Sequence, residues 1–452
     1  MSRQRIALTV CIILVLPAAI GCNHRPLMPT PNLYLAQGNG NGKNPFADVP
    51  PKLRNNMVDV LFVTDRKPKE TSNGALEYGH QRSNSMAFGS CVVEIGKGVK
   101  WPVLVKNSRT RNRSVSLAMK VIRTTEQARF PATPLTMISV ADDVELDPQE
   151  VKLENQATRS LQEKIKKHLE ATECKEAFVY IHGFNNTFKD GVFVAAELWH
   201  FMGRRGIPIV YSWPSKQGLM SYAYDRESSE FTVFHFKQFL RAIAGCEELK
   251  KIHILAHSRG TGVAGAAFRE LVIAARASPA NTGLSAGSPG QTARRVLGKI
   301  GNAILAAADI DMEVASQRLS AEMAFMGAER VTIYLSREDK AINLAVWLFE
   351  SIGRLGELSL KLLSEDQVET FEIIDRIDFI DARVNSGFLG HAYFHSSPAV
   401  SSDLILLLRD NLKPGAENGR PLTPDKRSKR YWSIGKGYPY AGDRAAHKAG
   451  ER

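Results

Sequence analysis

The stretch from Lys251 to Gly262, Lys-Ile-His-Ile-Leu-Ala-His-Ser-Arg-Gly-Thr-Gly, limits what this chain can fold into more than any other. Ile252 to Ala256 is a short apolar run, the pattern of a parallel strand buried on both faces. Ser258 follows almost at once. Gly260, Gly262, Ala264, Gly265, Ala266 and Ala267 then give a helix a small-residue face that can lie close to a sheet. Strand, serine in a tight turn, helix is the setting in which a G-x-S-x-G-like pattern carries chemistry. Such a turn forces the serine into a strained backbone conformation, so its neighbours must be small. Gly260 meets that need, and Ala256 stands where the first glycine would be. The helix start beyond aims free N–H groups at the serine. A serine that merely caps a helix would look the same over five residues, so the rest of the chain has to decide.

Around this stretch, strand-like and helix-like segments alternate. Apolar runs at 177–181, 207–211, 252–256, 303–308 and 331–335 alternate with helical patterns at 189–204, 225–244, 260–276, 312–326 and 341–352. A strand-like run at 371–380 and a helix at 401–412 close the series, and an amphipathic helix at 148–170 leads into it. Strands and helices in this order imply a mostly parallel sheet with helices on both faces. Ahead of it, 57–64, 86–95, 117–122 and 135–140 read as strands of a β-rich N-terminal addition, with 71–84 as a long hairpin loop.

The ends differ from this core. Arg3 and Arg5 precede an apolar run from Ile6 to Ile20, the length of a signal-peptide core and short for a membrane span. Ala19-Ile20-Gly21-Cys22 is similar to a bacterial lipobox, so residues 1–22 read as a leader and Cys22 as a lipidated mature N-terminus. A plain signal peptide or an uncleaved anchor are the other readings. Residues 23–55, rich in Pro, Asn and Gly, are expected to be a flexible linker. Residues 56–172 form the β-rich region and 173–412 the α/β core. Residues 413–452 are expected to be a basic, disordered tail, because 411–452 holds ten Lys/Arg against four acids, about half of the net charge of +12. Of the five cysteines, Cys11 and Cys22 lie in the leader. Cys91, Cys174 and Cys246 have neither a disulfide framework nor metal-ligand spacing.

In a parallel sheet, reactive groups gather at the carboxyl ends of the strands. His182-Gly183-Phe184-Asn185-Asn186 follows the strand at 177–181. The N–H of Phe184 or Asn185, with that of Arg259, could form an oxyanion hole; His182 reads as shaping the loop. Ser336-Arg337-Glu338-Asp339 follows the strand at 331–335. Asp339 could orient a histidine or cap the next helix, and Glu338, Asp309 and Asp311 are its rivals. Gly390-His391-Ala392-Tyr393-Phe394-His395 comes last, with His391 and His395 in competition.

Taken together, His182 to Phe188, Tyr211-Ser212-Trp213-Pro214-Ser215, His257 to Gly260, Asp309-Ile310-Asp311, Ser336-x-x-Asp339 and Gly390-His391-x-Tyr393-Phe394 resemble the bacterial α/β-hydrolase family catalogued as DUF900. Val63-Thr64-Asp65-Arg66 and the segment from Tyr78-Gly79 to Gly89 belong to the same likeness, which covers roughly 57–410. Arg259 departs from it, standing where Met or Gln is commoner. The resemblance implies an α/β-hydrolase fold and a serine hydrolase of carboxylic esters working through an acyl-enzyme. Ser258 would be the nucleophile, His391 the base and Asp339 the orienting acid, in the chain order of α/β-hydrolases. Phe184, Asn185 and Arg259 would supply the oxyanion N–H groups. No metal or organic cofactor is implied. The expected partners are an ester-type small molecule or lipid and the membrane of the cell envelope; nucleic acid is not expected. The same residues would also serve an acyltransferase, or a non-catalytic envelope binding protein that keeps the scaffold.

Overall fold

Strand β7 (Glu176–Ile181) shows why this chain builds a covered parallel sheet. Ala177, Val179 and Ile181 pack into one hydrophobic core, while Phe178 and Tyr180 pack into a second on the other face. The structure, a computed structural model, describes residues 24–35, 44–71, 74–140, 143–218, 221–277, 288–336, 354–358, 369, 372–383 and 391–440. Before β7 come β1 (His24–Pro26), β2 (Met57–Glu70), β3 (Leu76–Ile95) and β4 (Ala118–Arg129), and a separate exposed hairpin of β5 (Met137–Val140) and β6 (Asp143–Leu146). After β7 come β8 (Ile207–Ser212), β9 (Lys251–His257), β10 (Ile300–Ala306), β11 (Arg330–Leu335), β12 (Ile377–Ala382), β13 (Thr423–Pro424) and β14 (Tyr431–Ile434).

Twelve of these strands form one sheet in the order β1-β4-β3-β2-β8-β7-β9-β10-β11-β12-β14-β13. From β2 to β14 neighbours run parallel; the strands outside them are antiparallel. The β-rich N-terminal region therefore continues the sheet, since β2 pairs directly with β8. Helices Pro148–Leu169, Tyr222–Ala244 and Gly260–Ala277 bury Leu161, Phe239 and Leu271 on one face. Helices Phe188–Phe201 and Pro398–Asp410 bury Val192 and Leu404 on the other. Among the described residues no helix is long and apolar enough to cross a membrane.

Four expectations need correction. Residues 24–35 and 44–55 are packed: β1 pairs with β4, and Leu27, Met28, Leu33, Tyr34, Phe46 and Val49 are buried. Their Pro- and Gly-rich spacing gives no helix or strand period, yet these scattered apolar side chains fill one core, and Tyr34 donates to the Phe201 carbonyl at 2.6 Å. The basic tail is likewise folded as far as Tyr440, because Arg420 is buried against Asp403 and β14 joins the sheet beside β12. The 71–84 loop shrinks to a turn, since β2 and β3 pair as far as Glu70 and Leu76. The helix expected at 312–326 stops as Met312–Ala315 and loosens into a wider turn, with Met323 in the left-handed region at φ 52°. Cys22 lies outside the described residues, as does the helix expected at 341–352.

Candidate active site

Ser258 stands at the carboxyl end of β9, in the middle of the sheet, with φ 51°. A side chain in this left-handed region costs about 1–3 kcal/mol and persists only where the surroundings hold it. Here they do. The Ser258 N–H donates to the Ala306 carbonyl at the end of β10 (2.9 Å), and its carbonyl accepts from the N–H and hydroxyl of Thr261 (3.0 and 2.6 Å). The turn also needs two glycines. A Cβ on Gly260 would lie 2.5 Å from the His182 carbonyl, and one on Gly183 would lie 2.7 Å from Ser258 Cβ and 3.1 Å from His257 Nδ1. The His182–Asn186 loop thus rests directly on the serine. Gly183→Ala should push that loop off the serine. We expect roughly a 100-fold loss of turnover, the typical cost of a displacement of about 1 Å, read as kcat per active site with melting measured alongside.

Two of the three oxyanion candidates are open. The N–H groups of Phe184 and Arg259 make no hydrogen bond among the described residues. The Asn185 N–H instead faces the Asp225 carboxylate at 3.4 Å, and Asn185 itself is held at φ 60° with its side-chain oxygen accepting from the Gly218 N–H. Asp225 also accepts from the Ser215 hydroxyl and the Lys216 N–H, and burial pushes its carboxyl above the ordinary range.

The clamp behind this loop is Arg66. Its guanidinium, fully buried, donates to the carbonyls of Asn186 (2.8 Å), Ser215 (3.0 Å) and Gly79 (2.9 Å) and to the Ser212 hydroxyl (2.9 Å). Burial lowers it to about 10, which leaves it charged at neutral pH. His182 Nε2 lies 3.3 Å from Arg66, and its ring stacks on Trp213 at 5.1 Å. Burial first, and then Arg66, hold His182 down at about 3, so it stays neutral and shapes the loop. From the sequence, Arg66 was one residue in a resembling segment; nothing local announced its role.

His391 sits beside the elbow. Its carbonyl is 3.1 Å from His257 Nε2, and the two rings are 4.8 Å apart. His257 immediately precedes Ser258, and burial, with His391 next, holds it neutral, well below the ordinary histidine value. It serves as a strut between Ser258 and the His391 loop. Tyr393 anchors the other side of the histidine loop. Its hydroxyl donates to the Tyr334 carbonyl (2.8 Å) and accepts from the Ala307 N–H (3.0 Å), which ties the loop to the ends of β11 and β10. His395 goes elsewhere. Its Nδ1 lies 3.0 Å from the fully buried Glu197, beside Arg25. Burial alone would raise the Glu197 carboxyl, but Arg25, His395 and the Met28 N–H together hold it low.

Of the acids, Asp339 lies outside the described residues. So does Glu338; the other two rivals, Asp311 and Asp309, are described. Asp311 caps the Met312–Ala315 helix through the N–H groups of Glu313 (2.9 Å) and Val314 (3.2 Å). Asp309 accepts from the Tyr222 hydroxyl at 2.8 Å and faces Arg354 at 3.5 Å.

A family model described as an alpha/beta hydrolase of unknown function (DUF900) matches residues 157–409, more than half of the chain. No curated protein matches. Among solved structures, the apo form of Thermogutta terrifontis esterase 2 is similar at 12% identity, over 54% of this chain and 87% of that one, with a TM-score of 0.27. A serine held in a tight strand-to-helix turn at the centre of the sheet, a glycine-bearing loop resting on it and a late histidine loop tied to the neighbouring strand ends agree with the family match: the chain belongs to the DUF900 family of α/β-hydrolases.

Proposed function

We propose that the protein hydrolyses carboxylic esters through a Ser258–His391–Asp339 triad. The observation that carries this reading is Ser258 held at φ 51° at the end of a central strand, against Gly183 on one side and beside the His391 loop on the other. Ser258 Oγ attacks the acyl carbonyl while His391 takes its proton, and Asp339 orients the imidazole and stabilises its charged form. The carbonyl oxygen becomes an oxyanion facing the N–H groups of Phe184 and Arg259. When the carbon–oxygen bond breaks, His391 returns the proton to the departing alcohol, leaving the acyl group on Ser258. Water, deprotonated by His391, then attacks the acyl carbon, and His391 returns that proton to Ser258 Oγ as the acyl–oxygen bond breaks and the acid leaves. Esters are favoured over amides because an alcohol leaves more easily than an amine.

The test is labelling with a fluorophosphonate probe, followed by a panel of short-chain p-nitrophenyl esters. His391→Ala should lose at least about 1,000-fold in kcat/KM while His395→Ala keeps most of its activity and loses stability. Asp339→Asn should cost about 10⁴ in kcat, the size of effect seen when a histidine loses its orienting acid. If Asp309→Asn costs more than Asp339→Asn at unchanged melting, the acid belongs to the β10 end. A wild-type protein that the probe does not label would leave the scaffold as a binding protein.

A further inference from the structure

Next to the elbow lies a cavity of about 420 Å³ with an unusual lining. Five arginines border it: Arg226, Arg259, Arg269, Arg318 and Arg354. They come from helix Tyr222–Ala244, the elbow itself, helix Gly260–Ala277, the turn after Met312–Ala315 and the segment before Leu355. Two of its lining residues adjoin Ser258. Arg259 directly follows Ser258, and Asp309, also on the wall, has its N–H 3.5 Å from the Ser258 carbonyl. Tyr222, which binds Asp309, also packs edge-on against the Phe184 ring of the oxyanion loop at 5.4 Å.

Three acids share the lining, Glu230, Asp309 and Asp311, and their use determines what charge is left over. Asp309 faces Arg354 at 3.5 Å, and Asp311 accepts from two helix N–H groups. Glu230 stands 3.9 Å from Arg259, whose Nε donates to Ser229 at 3.0 Å. No carboxylate lies within ion-pair distance of Arg226, Arg269 or Arg318 among the described residues. Arg269 Nε is buried without a hydrogen-bond partner among them. A buried donor left unpaired is costly, and arginine meets its donors best with a carboxylate or phosphate. The start of helix Gly260–Ala277 borders the same space and adds its positive end.

We propose that this cavity binds an anionic group, a carboxylate or a phosphate, carried by the ester that Ser258 cleaves. The inference rests on the serine-hydrolase reading and narrows its substrate class. Arg269 and Arg318 hold the anion, Arg226 adds charge at the rim, and Arg259 supplies the link to the nucleophile. A charged group fixed there would help to orient the ester carbonyl towards Ser258.

Two substrate pairs test this and separate the two anions. On the acyl side, p-nitrophenyl hemisuccinate is compared with p-nitrophenyl butyrate. On the alcohol side, butyryl glycerol phosphate is compared with monobutyrin. In one pair, the anionic member should be preferred in kcat/KM. That preference should fall about tenfold in Arg269→Met and in Arg318→Glu, with the neutral ester and the rate of fluorophosphonate labelling unchanged. Gly262→Leu gives an independent arm. It lines the cavity, and a Cβ there meets nothing within 4 Å, so the side chain fills the space without disturbing the elbow; the anionic preference should fall there too. An anionic preference absent from both pairs, or untouched by all three variants, overturns the proposal even when Ser258 labels normally. If the probe labels nothing, the hydrolase reading fails and the cavity is judged by calorimetry with succinate and with inorganic phosphate. Binding weakened by Arg269→Met supports an anion site, and binding that is absent or unaltered rejects it.

Discussion

Replacing Ser258 with alanine should abolish fluorophosphonate labelling and lower kcat on every ester by about 10⁴–10⁶, the loss typical of a missing triad nucleophile. That is roughly 5–8 kcal/mol of barrier. The protein should melt where the wild type does. The elbow is held by backbone groups, the N–H to Ala306 and the carbonyl to Thr261, and alanine keeps both. It also keeps a Cβ, so the strain at φ 51° is unchanged. Labelling and turnover that survive the substitution would remove Ser258 from the chemistry. A large fall in melting temperature would show instead that the hydroxyl supports the turn.

The second large effect concerns stability at the far edge of the sheet. Asp403, on helix Pro398–Asp410, is fully buried and receives four donors on its two oxygens. Arg420 gives two of them (2.8 and 2.7 Å), Tyr334 on β11 the third (2.7 Å) and Tyr438 the fourth (2.6 Å). Donors 17, 35 and 69 residues away in the chain thus converge on one carboxylate. Removing one member of a buried pair strands the other charge in a low-dielectric interior, at a cost of about 3–5 kcal/mol. Arg420→Met should therefore lower unfolding free energy by about that much in urea, and deleting residues 413–452 should cost at least as much. Adding Asp403→Leu to Arg420→Met should recover part of the loss, because no charge is then left unpaired. A deletion that unfolds at the wild-type urea midpoint would show that the C-terminal segment is the loose tail its composition suggests.

Some of this architecture was legible because it is local. The strand at 252–256 and its small-residue helix could be read from a dozen residues, since burial on both faces leaves a continuous apolar run and close packing leaves glycine and alanine. Helix Pro289–Lys299 shows the limit. Its Ser-Pro-Gly opening reads as loop, yet Ser288 caps the Gln291 N–H and Pro289 occupies the first turn, where a missing N–H costs nothing.

The alternation that makes a parallel sheet, the placing of Ser258 at a strand end and the position of a late histidine are all written locally along the chain. These follow from periodicity and from turns that only small residues allow. Tertiary structure alone decided how the polar groups are shared out. His391 lies beside the elbow because His257 and Tyr393 hold its loop there, while His395, four residues on, is taken by Glu197 and Arg25, the latter 370 residues away. Arg66 clamps a loop 120 residues downstream, and Arg420 turns a basic tail into part of the core. Hydrophobic burial is approximately additive and leaves a repeating trace along the chain. A buried charge is stable only with a specific partner at a specific distance, and the partner's place in the sequence leaves no local trace.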